Sequence, residues 1–281
     1  MANQGSCLCG SLSWEFTGEP YQAFNCHCKM CRKCHGAAFG TYWFLEQEQF
    51  NWTCDKSSLV QFESSTLLTR NFCGRCGSVA PYPNRTGEKI VVPAGCHDTG
   101  KKSDCNIFVA DNAPWHPITN GLPNYDHYPP WTASGFVAEK DPTPASKGVV
   151  RSSCQCGAIE CRITEPFSIV RNCHCSRCRR ARSAAYTTNG FTSLEGVSYI
   201  RGEEHLETYK LPGAKFFTQA FCKICGSKMP RIDKDRGITL TPLGSLDDDP
   251  GTQAQEHIYV GSKAQWHDIT DGLPEFTAGP S

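Results

Sequence analysis

The residues best suited to do chemistry in this chain are cysteines that recur at short, regular spacings. Two sets hold three closely spaced cysteines each: Cys26, Cys28 and Cys31, then Cys173, Cys175 and Cys178. Three thiolates on one Zn²⁺ leave a fourth position open, which is typical of a catalytic rather than a structural zinc. A thiol that entered this position would lose its proton near neutral pH. We therefore predict that these cysteines are catalytic metal ligands that favour thiolate chemistry.

A closed site with four protein ligands is the alternative interpretation of these trios. His27, His174 or another cysteine such as Cys34 would then supply the fourth ligand. Adjacent residues such as Cys26 and His27 bind one metal ion less readily than spaced residues, which argues against the histidines. The residues alone leave both arrangements open.

Four further cysteines in each half of the chain fit a closed zinc site. A Cys-x-Cys pair near the start of each half and a Cys-x-x-Cys pair much later supply the four thiolates that a structural zinc requires. The two sets are Cys7, Cys9, Cys73 and Cys76, then Cys154, Cys156, Cys222 and Cys225. A metal ion that joined these pairs would close a long loop that the chain alone closes at an entropic cost. We therefore predict up to four zinc ions per chain.

An internal repeat sets the domain organisation. The three-cysteine motif occurs twice, and Phe72–Ser78 in the first half matches Phe221–Ser227 in the second. We predict a first zinc domain over 1–137, a polar, proline-bearing linker over 138–148 and a second zinc domain over 149–281.

The elements that carry these motifs are predicted to be mostly β-strands. Short β-favouring runs bounded by turn residues indicate strands. They are Val60–Phe62, Ile90–Val92, Ile107–Val109, Val197–Ile200, Lys215–Thr218 and Ile238–Thr241. A short helical turn is predicted from Cys178 to Arg182.

Composition excludes several classes of function. Lysine plus arginine and aspartate plus glutamate both number 28, so the formal charge is zero and nucleic acid is an improbable partner. No apolar run approaches the roughly 20 residues that span a bilayer, and no secretory leader is visible, so we expect a cytoplasmic protein without a membrane partner. The 19 cysteines cannot all pair within the chain, so dense cysteine spacing indicates metal binding.

The order of these motifs resembles the glutathione-dependent formaldehyde-activating enzyme family, which includes the centromere protein V group. The resemblance covers almost the whole chain twice and implies two tandem β-tent domains built of antiparallel sheets. It also implies a structural zinc at the four-cysteine set and a second zinc at the three-cysteine set. The implied activity is that of a carbon–sulfur lyase that forms or cleaves S-(hydroxymethyl)glutathione, with glutathione as co-substrate.

Cations near the cysteines are candidates for binding the carboxylates of glutathione. We predict this role for five residues: Arg32, Lys33, Arg70, Arg179 and Arg180. A solvated basic turn is the alternative for the clustered ones. The copies differ, because Arg70 aligns with Gln219 and Gly36 aligns with Ser183. One copy has therefore become structural, or both shape one shared pocket, and the sequence leaves this choice open.

Two other functions stay open. The chain could be a non-catalytic zinc module that binds a protein or nucleic acid, or a lyase for a different thiol adduct in specialised metabolism. An enzyme needs an accessible fourth metal position beside a pocket, whereas a binding module does not. The sequence sets no oligomeric state, and an oligomer is possible.

Overall fold

The computed structural model describes residues 2–66, 68–132, 144 and 148–279 of the chain. Apart from Pro144 and Gly148, the predicted linker over 138–148 lies outside the described residues. The proposed domain boundaries therefore remain predictions.

The first half contains twelve described strands and one α-helix. The strands are β1 (Asn3–Ser6), β2 (Ser13–Phe16), β3 (Gln22–Cys26), β4 (Gly40–Glu46), β5 (Phe50–Trp52), β6 (Leu59–Ser65), β7 (Leu68–Cys73), β8 (Val79–Ala80), β9 (Tyr82–Pro83), β10 (Lys89–Pro93), β11 (Cys105–Ile107) and β12 (Asn124–Tyr125). The helix is α1 (Lys29–His35), and short 3-10 helices cover Gln47–Gln49, Ala94–Cys96 and Val109–Asp111.

The second half repeats this order with eleven described strands and one α-helix. The strands are β13 (Val150–Ser153), β14 (Glu160–Ile163), β15 (Ile169–Cys173), β16 (Thr187–Thr192), β17 (Val197–Arg201), β18 (Leu206–Lys210), β19 (Thr218–Cys222), β20 (Arg231–Asp233), β21 (Ile238–Pro242), β22 (Glu256–Ile258) and β23 (Glu275–Phe276). The helix is α2 (Ser176–Arg182), and short 3-10 helices cover Glu203–His205, Lys234–Arg236, Leu243–Ser245 and Val260–Ser262.

The two halves share one sheet plan, and the prediction of a mainly β fold is confirmed. Each half has an antiparallel three-stranded sheet, β1-β2-β5 or β13-β14-β17, and a six-stranded sheet, β12-β11-β3-β4-β10-β9 or β20-β21-β16-β15-β22-β23. The six-stranded sheets are mixed rather than purely antiparallel, because β11 pairs in parallel with β3, and β22 pairs in parallel with β15. Both strands reach the sheet after a long connection, which permits parallel pairing where a tight hairpin would not.

Most predicted strands are confirmed within β6, β10, β17 and β21, and two are wrong in extent. The strand predicted over Ile107–Val109 ends at Ile107, since Phe108 adopts the left-handed conformation at φ 55°. The strand predicted over Lys215–Thr218 begins only at Thr218. The preceding residues form the turn that joins β18 to β19, in which the Leu211 amide donates to the Phe217 carbonyl at 3.2 Å.

The two α-helices begin at cysteines of the three-cysteine motifs. The Cys28 side chain caps α1 by accepting from the Cys31 amide at 3.4 Å, and the Cys175 side chain caps α2 by accepting from the Cys178 amide at 3.4 Å. A capping group at this position satisfies an amide that the helix leaves unpaired. The sulfurs of Cys28 and Cys175 therefore cap the helices and also belong to the sets that could bind a metal ion. The helical turn predicted from Cys178 to Arg182 is confirmed as part of α2.

The two halves pack against each other through reciprocal close contacts. A Cβ atom on Gly95 would lie 2.0 Å from the Ala184 amide nitrogen, and one on Gly244 would lie 2.4 Å from the Ala37 amide nitrogen. Only glycine permits backbones to approach so closely. The hydrophobic core is continuous across the halves and includes Trp43 from the first. Each half therefore completes the core of the other.

His97 lies in this shared core. It is 3% exposed, and its Nε2 accepts from the Trp14 indole nitrogen at 3.1 Å, which requires a neutral ring. Burial lowers the pKa of His97 to about 4. Its carbonyl oxygen accepts from the Trp266 indole nitrogen of the second half at 3.0 Å. The aligned residue in the second half is Leu246.

His97 makes stability depend on pH. The folded state keeps this ring neutral, whereas the unfolded chain protonates it below pH ~6.5. Stability from this group is therefore intact above pH ~6.5 and is lost as pH falls toward 4, by about 3 kcal/mol in total. We expect the His97→Leu variant to lose less stability than the native chain between pH 7.5 and 5.0. Urea unfolding midpoints measure the difference, and parallel pH profiles for the two proteins would refute it.

Candidate metal centres and active site

Each four-cysteine set predicted from the sequence comes together as a compact cluster of sulfurs. In each set, all four sulfur atoms lie within 4.8 Å of one another. Cys9 Sγ lies 3.5 Å from Cys7 Sγ and 3.7 Å from Cys73 Sγ. The turn that follows Cys73 passes through Gly77 at φ 73°, a conformation that glycine adopts without strain. Each cluster could hold a metal ion, and it joins the first turn of its half to the turn that follows β7 or β19.

Each three-cysteine set also converges. The sulfurs of Cys26, Cys28 and Cys31 lie within 4.8 Å of one another, and so do those of the second trio. Cys26 ends β3, while Cys28 and Cys31 cap and enter α1, so the end of a strand and the start of a helix bring the first trio together. The Cys26 and Cys28 sulfurs are 3.5 Å apart.

The histidines next to these cysteines have other partners. His27 Nδ1 lies 3.0 Å from Asn112 Oδ1, and His174 Nε2 lies 2.8 Å from His257 Nδ1. Among the described residues, neither His27, His174 nor Cys34 joins a trio within metal-binding distance. The three-ligand arrangement is therefore favoured over a closed four-ligand site.

A guanidinium and a phenol surround the Cys31 sulfur in the first half. Arg70 Nη2 donates to Cys31 Sγ at 3.2 Å, and the Tyr42 hydroxyl oxygen lies 3.4 Å from it. Arg70 Nη1 also donates to the Tyr42 hydroxyl at 3.0 Å. Hydrogen bonds from the Cys26 and Cys28 thiols, and then the charge of Arg70, hold the pKa of Cys31 well below its usual range. The first trio is thus built to carry a thiolate charge.

The second half lacks this arrangement. Asn189 and Gln219 replace Tyr42 and Arg70, and they donate to the Thr187 hydroxyl and to the Ala181 carbonyl. Hydrogen bonds from the other two thiols of its trio lower the pKa of Cys175 to about 3. The buried guanidiniums of Arg182 and Arg231 interact electrostatically with Cys178, but among the described residues neither donates a hydrogen bond to a sulfur of this trio as Arg70 does in the first half. The two trios therefore share ligands but not electrostatic surroundings.

A cavity of about 1130 Å³ lies against the first trio. All three cysteines of that trio line it, together with Tyr42 and Arg70, whereas none of the second trio does so. The second half closes part of the wall with residues that include Ser153, Gln155 and Asp247. The Gln155 Oε1 atom is buried and has no hydrogen-bond partner among the described residues.

Two of the five cations predicted to bind substrate line this cavity, namely Arg70 and Lys33. The Lys33 ammonium already contacts Asp247 Oδ1 at 2.7 Å and the Ser153 carbonyl oxygen at 2.8 Å, both in the second half. The contacts of Lys33 join the two halves. Among the five predicted cations, Arg70 therefore remains the one next to the cysteines of the first trio.

The other three predicted cations lie outside the cavity lining. Arg32 is fully buried and donates to the Asp111 carbonyl at 3.2 Å. Arg179 is also buried and pairs with Asp98 at 2.6 Å, and Arg180 lies 3.6 Å from the same carboxylate. Arg179 and Arg180 pair with a carboxylate of the other half and Arg32 bonds to a carbonyl of its own half, so the structure does not bring them to a ligand in this cavity.

Sequence reasoning missed the aromatic residues around the first trio. Tyr42 and Tyr82 approach Arg70, and Tyr128 lines the cavity beside the trio. The difference between the two copies could have revealed them, because Tyr42 aligns with Asn189 and Tyr82 aligns with Arg231. A change of residue type at equivalent strand positions indicates that the two copies of the fold carry sites with different chemistry.

The sequence profile of the glutathione-dependent formaldehyde-activating enzyme family matches residues 2–111 and 149–262. The chain therefore belongs to this family and carries two tandem copies of its domain. A Halomonas elongata protein that is provisionally named a glutathione-dependent formaldehyde-activating enzyme is 25% identical over 131 residues, which cover 43% of this chain and 81% of that protein.

A crystal structure of a Rhodobacter sphaeroides protein is also similar, at 19% identity and a TM-score of 0.29, over 45% of this chain and 98% of that one. Within the described residues, no helix has both the length and the apolar character needed to cross a bilayer.

Arg70 is expected to strengthen metal binding at the first trio. Arg70→Gln gives this position the side chain of the second half and removes the charged donor to Cys31, so we expect at least a tenfold loss of cobalt(II) affinity at this trio. Titration followed by thiolate-to-metal absorption measures it.

Arg70→Lys, which keeps the charge, should retain most of the affinity, and Gln219→Ala should leave the first trio unchanged. Equal cobalt(II) affinity in the native chain and Arg70→Gln would show that the guanidinium does not act on the metal site.

Proposed function

We propose that this chain is a zinc-dependent carbon–sulfur lyase that acts on a glutathione adduct of the S-(hydroxymethyl)glutathione type. The observation that carries the proposal is the cavity of about 1130 Å³ that lies directly against the trio Cys26, Cys28 and Cys31. Membership of the glutathione-dependent formaldehyde-activating family supports the reaction class. A non-catalytic zinc module would need no cavity beside a three-thiol centre.

The donor set fits zinc in both kinds of site. Four clustered thiols suit a closed structural zinc, and three clustered thiols suit a zinc with an open position. When bound at the first trio, zinc would stabilise the substrate sulfur as a thiolate. Arg70 offsets part of the negative charge that three cysteine thiolates and a substrate thiolate bring together, since it donates to Cys31 at 3.2 Å.

The reaction makes and breaks one carbon–sulfur bond. In the direction of synthesis, a lone pair of the glutathione thiolate forms the bond to the formaldehyde carbon. The π electrons of the carbonyl group move to oxygen, which then takes a proton from water. In the reverse direction, the hydroxyl loses its proton, the carbonyl re-forms and the bonding pair returns to sulfur. The site must therefore stabilise charge on sulfur and on oxygen.

Tyr128 is our candidate for stabilising the oxygen. It lines the cavity, and burial together with the thiols of Cys26, Cys31 and Cys28 raises its pKa, which keeps the phenol protonated. A protonated phenol can donate a hydrogen bond to the developing alkoxide.

The second half is proposed to be structural at its trio. It lacks counterparts of Tyr42 and Arg70, and the residue aligned with Tyr128 is Gly279. Its contributions to the working site are the cavity wall at Gln155 and the contact from Asp247 to Lys33. One active site per chain follows from this assignment.

Single cysteine variants test which half is active. We expect Cys26→Ser to lower the rate of S-(hydroxymethyl)glutathione formation by at least 100-fold and Cys173→Ser to lower it by less than threefold, because only the first trio faces the cavity. Exchange NMR between formaldehyde, glutathione and the adduct measures the rate, and metal analysis gives the zinc content of each variant. Equal losses in both variants would refute the assignment, and full turnover in Cys26→Ser would refute the metal-centred mechanism.

Tyr128 is tested by removing its hydroxyl alone. We expect Tyr128→Phe to lower kcat about 10- to 100-fold, as loss of one oxyanion donor does, while the zinc content stays unchanged. Tyr125→Phe is the matched control, because Tyr125 lies on β12 outside the cavity lining. A normal kcat in Tyr128→Phe would remove Tyr128 from the mechanism.

A further inference from the structure

The cavity is larger and more apolar than a one-carbon adduct requires. Pockets that enclose drug-sized ligands hold about 300–1,000 Å³, and this cavity holds about 1130 Å³. The hydroxymethyl group adds only one carbon and one oxygen to glutathione. The extra space therefore calls for a substrate with a larger group on the reacting carbon.

Five of the aromatic side chains that line the cavity, together called the aromatic wall, are Phe24, Phe44, Tyr82, Phe108 and Tyr128. The Phe24 and Phe44 rings lie 5.2 Å apart, and the Phe108 and Tyr128 rings also lie 5.2 Å apart in an edge-to-face arrangement. The wall belongs to the same apolar cluster as the first trio. An aromatic group attached near the substrate sulfur would therefore find rings to pack against.

The aromatic wall is not a requirement of the fold. The second half keeps the same strands and the same trio, yet Arg171 and Arg231 replace Phe24 and Tyr82, and Gly279 replaces Tyr128. Phe191, the counterpart of Phe44, is retained. Three of the five wall positions are thus aromatic only in the half that has the cavity, which ties them to a ligand rather than to folding.

Cations stand at the solvent-exposed part of the same cavity. Arg85 is exposed and has no ion-pair partner among the described residues, whereas Lys89, whose side chain is 31% exposed, already pairs with Glu46. Both line the cavity. The Arg85 guanidinium there suits a carboxylate of a peptide thiol such as glutathione. Apolar and cationic regions of one cavity match the two parts of a conjugate.

We infer that the cavity selects glutathione adducts in which the reacting carbon carries a bulky aromatic group, as in the hemithioacetal of an aromatic aldehyde; this inference rests on the proposed function. The bond chemistry is the same. The carbon–sulfur bond breaks with its electron pair on sulfur, the carbonyl of the aldehyde forms, and the hydroxyl proton passes to water. No oxidant or reductant is needed.

Binding of stable thioethers tests this preference apart from turnover. Calorimetric titration of the full zinc-loaded chain with S-(1-naphthylmethyl)glutathione and with S-methylglutathione should give at least tenfold tighter binding of the aromatic thioether. Phe44→Ala should reduce this ratio by at least fivefold. Phe191→Ala is the matched control, since Phe191 occupies the same strand position in the second half and does not line the cavity. It should leave the ratio unchanged.

The outcomes separate the inference from the proposed function. Equal binding of the two thioethers overturns the inference, and formation of S-(hydroxymethyl)glutathione by the same preparation then leaves the proposed function intact. A preference that persists in Phe44→Ala, or that is lost equally in Phe191→Ala, also overturns it, because the aromatic group then lies elsewhere. Absence of both binding and turnover overturns the two together.

Discussion

The close approach of thiol sulfurs is the constraint on which the rest of this structure depends. Four sets of cysteines bring their sulfurs within 4.8 Å, and thiolates at that distance repel one another unless a cation binds between them. Each four-cysteine set joins the first turn of its half to the turn that follows β7 or β19. Each trio joins the end of one strand, β3 or β15, to the helix that follows. A metal ion at each set would therefore stabilise the fold as well as the site.

The two halves share the same strands and cysteine sets but differ around their three-cysteine sets. Their strands pair in the same register, and Cys28 and Cys175 cap the two helices in the same way. What differs is the environment of the trio. Arg70 donates to a sulfur beside a large cavity in the first half, with the Tyr42 hydroxyl nearby, whereas Gln219 in the second half donates to a backbone carbonyl. The second half shares a core with the first and closes the cavity wall near Gln155.

Much of this organisation could be predicted from the sequence, because cysteine spacing fixes which sulfurs can share a metal. The repeat, the four cysteine sets and the mainly β fold follow from local patterns. The parallel pairing of β11 with β3 does not follow from local patterns, because it depends on which strand the chain meets after the long connection before β11. The β propensity of its neighbours predicts a strand at Phe108, which instead adopts a turn conformation at φ 55°.

The candidate substrate site was harder to predict for a physical reason. Clustered cations such as Arg32 and Arg179 look suited to anion binding in sequence, but both are buried against oxygens of the chain itself. Arg70 was identified only through its difference from Gln219. Packing between the halves decides which cations line the cavity, and contacts between residues that are distant in sequence cannot be inferred from local sequence patterns.

Cadmium-113 NMR of the substituted chain tests the central claim, that the first trio is an open metal site which accepts an external thiol. Thiolate-rich sites give resonances that depend on the number of sulfur ligands, and Cys26→Ser assigns the first trio. The account predicts that glutathione shifts the resonance of the first trio toward that of a four-thiolate site and leaves the resonances of the four-cysteine sets in place. An unmoved first-trio resonance at saturating glutathione, or a shift confined to the second trio, would contradict it.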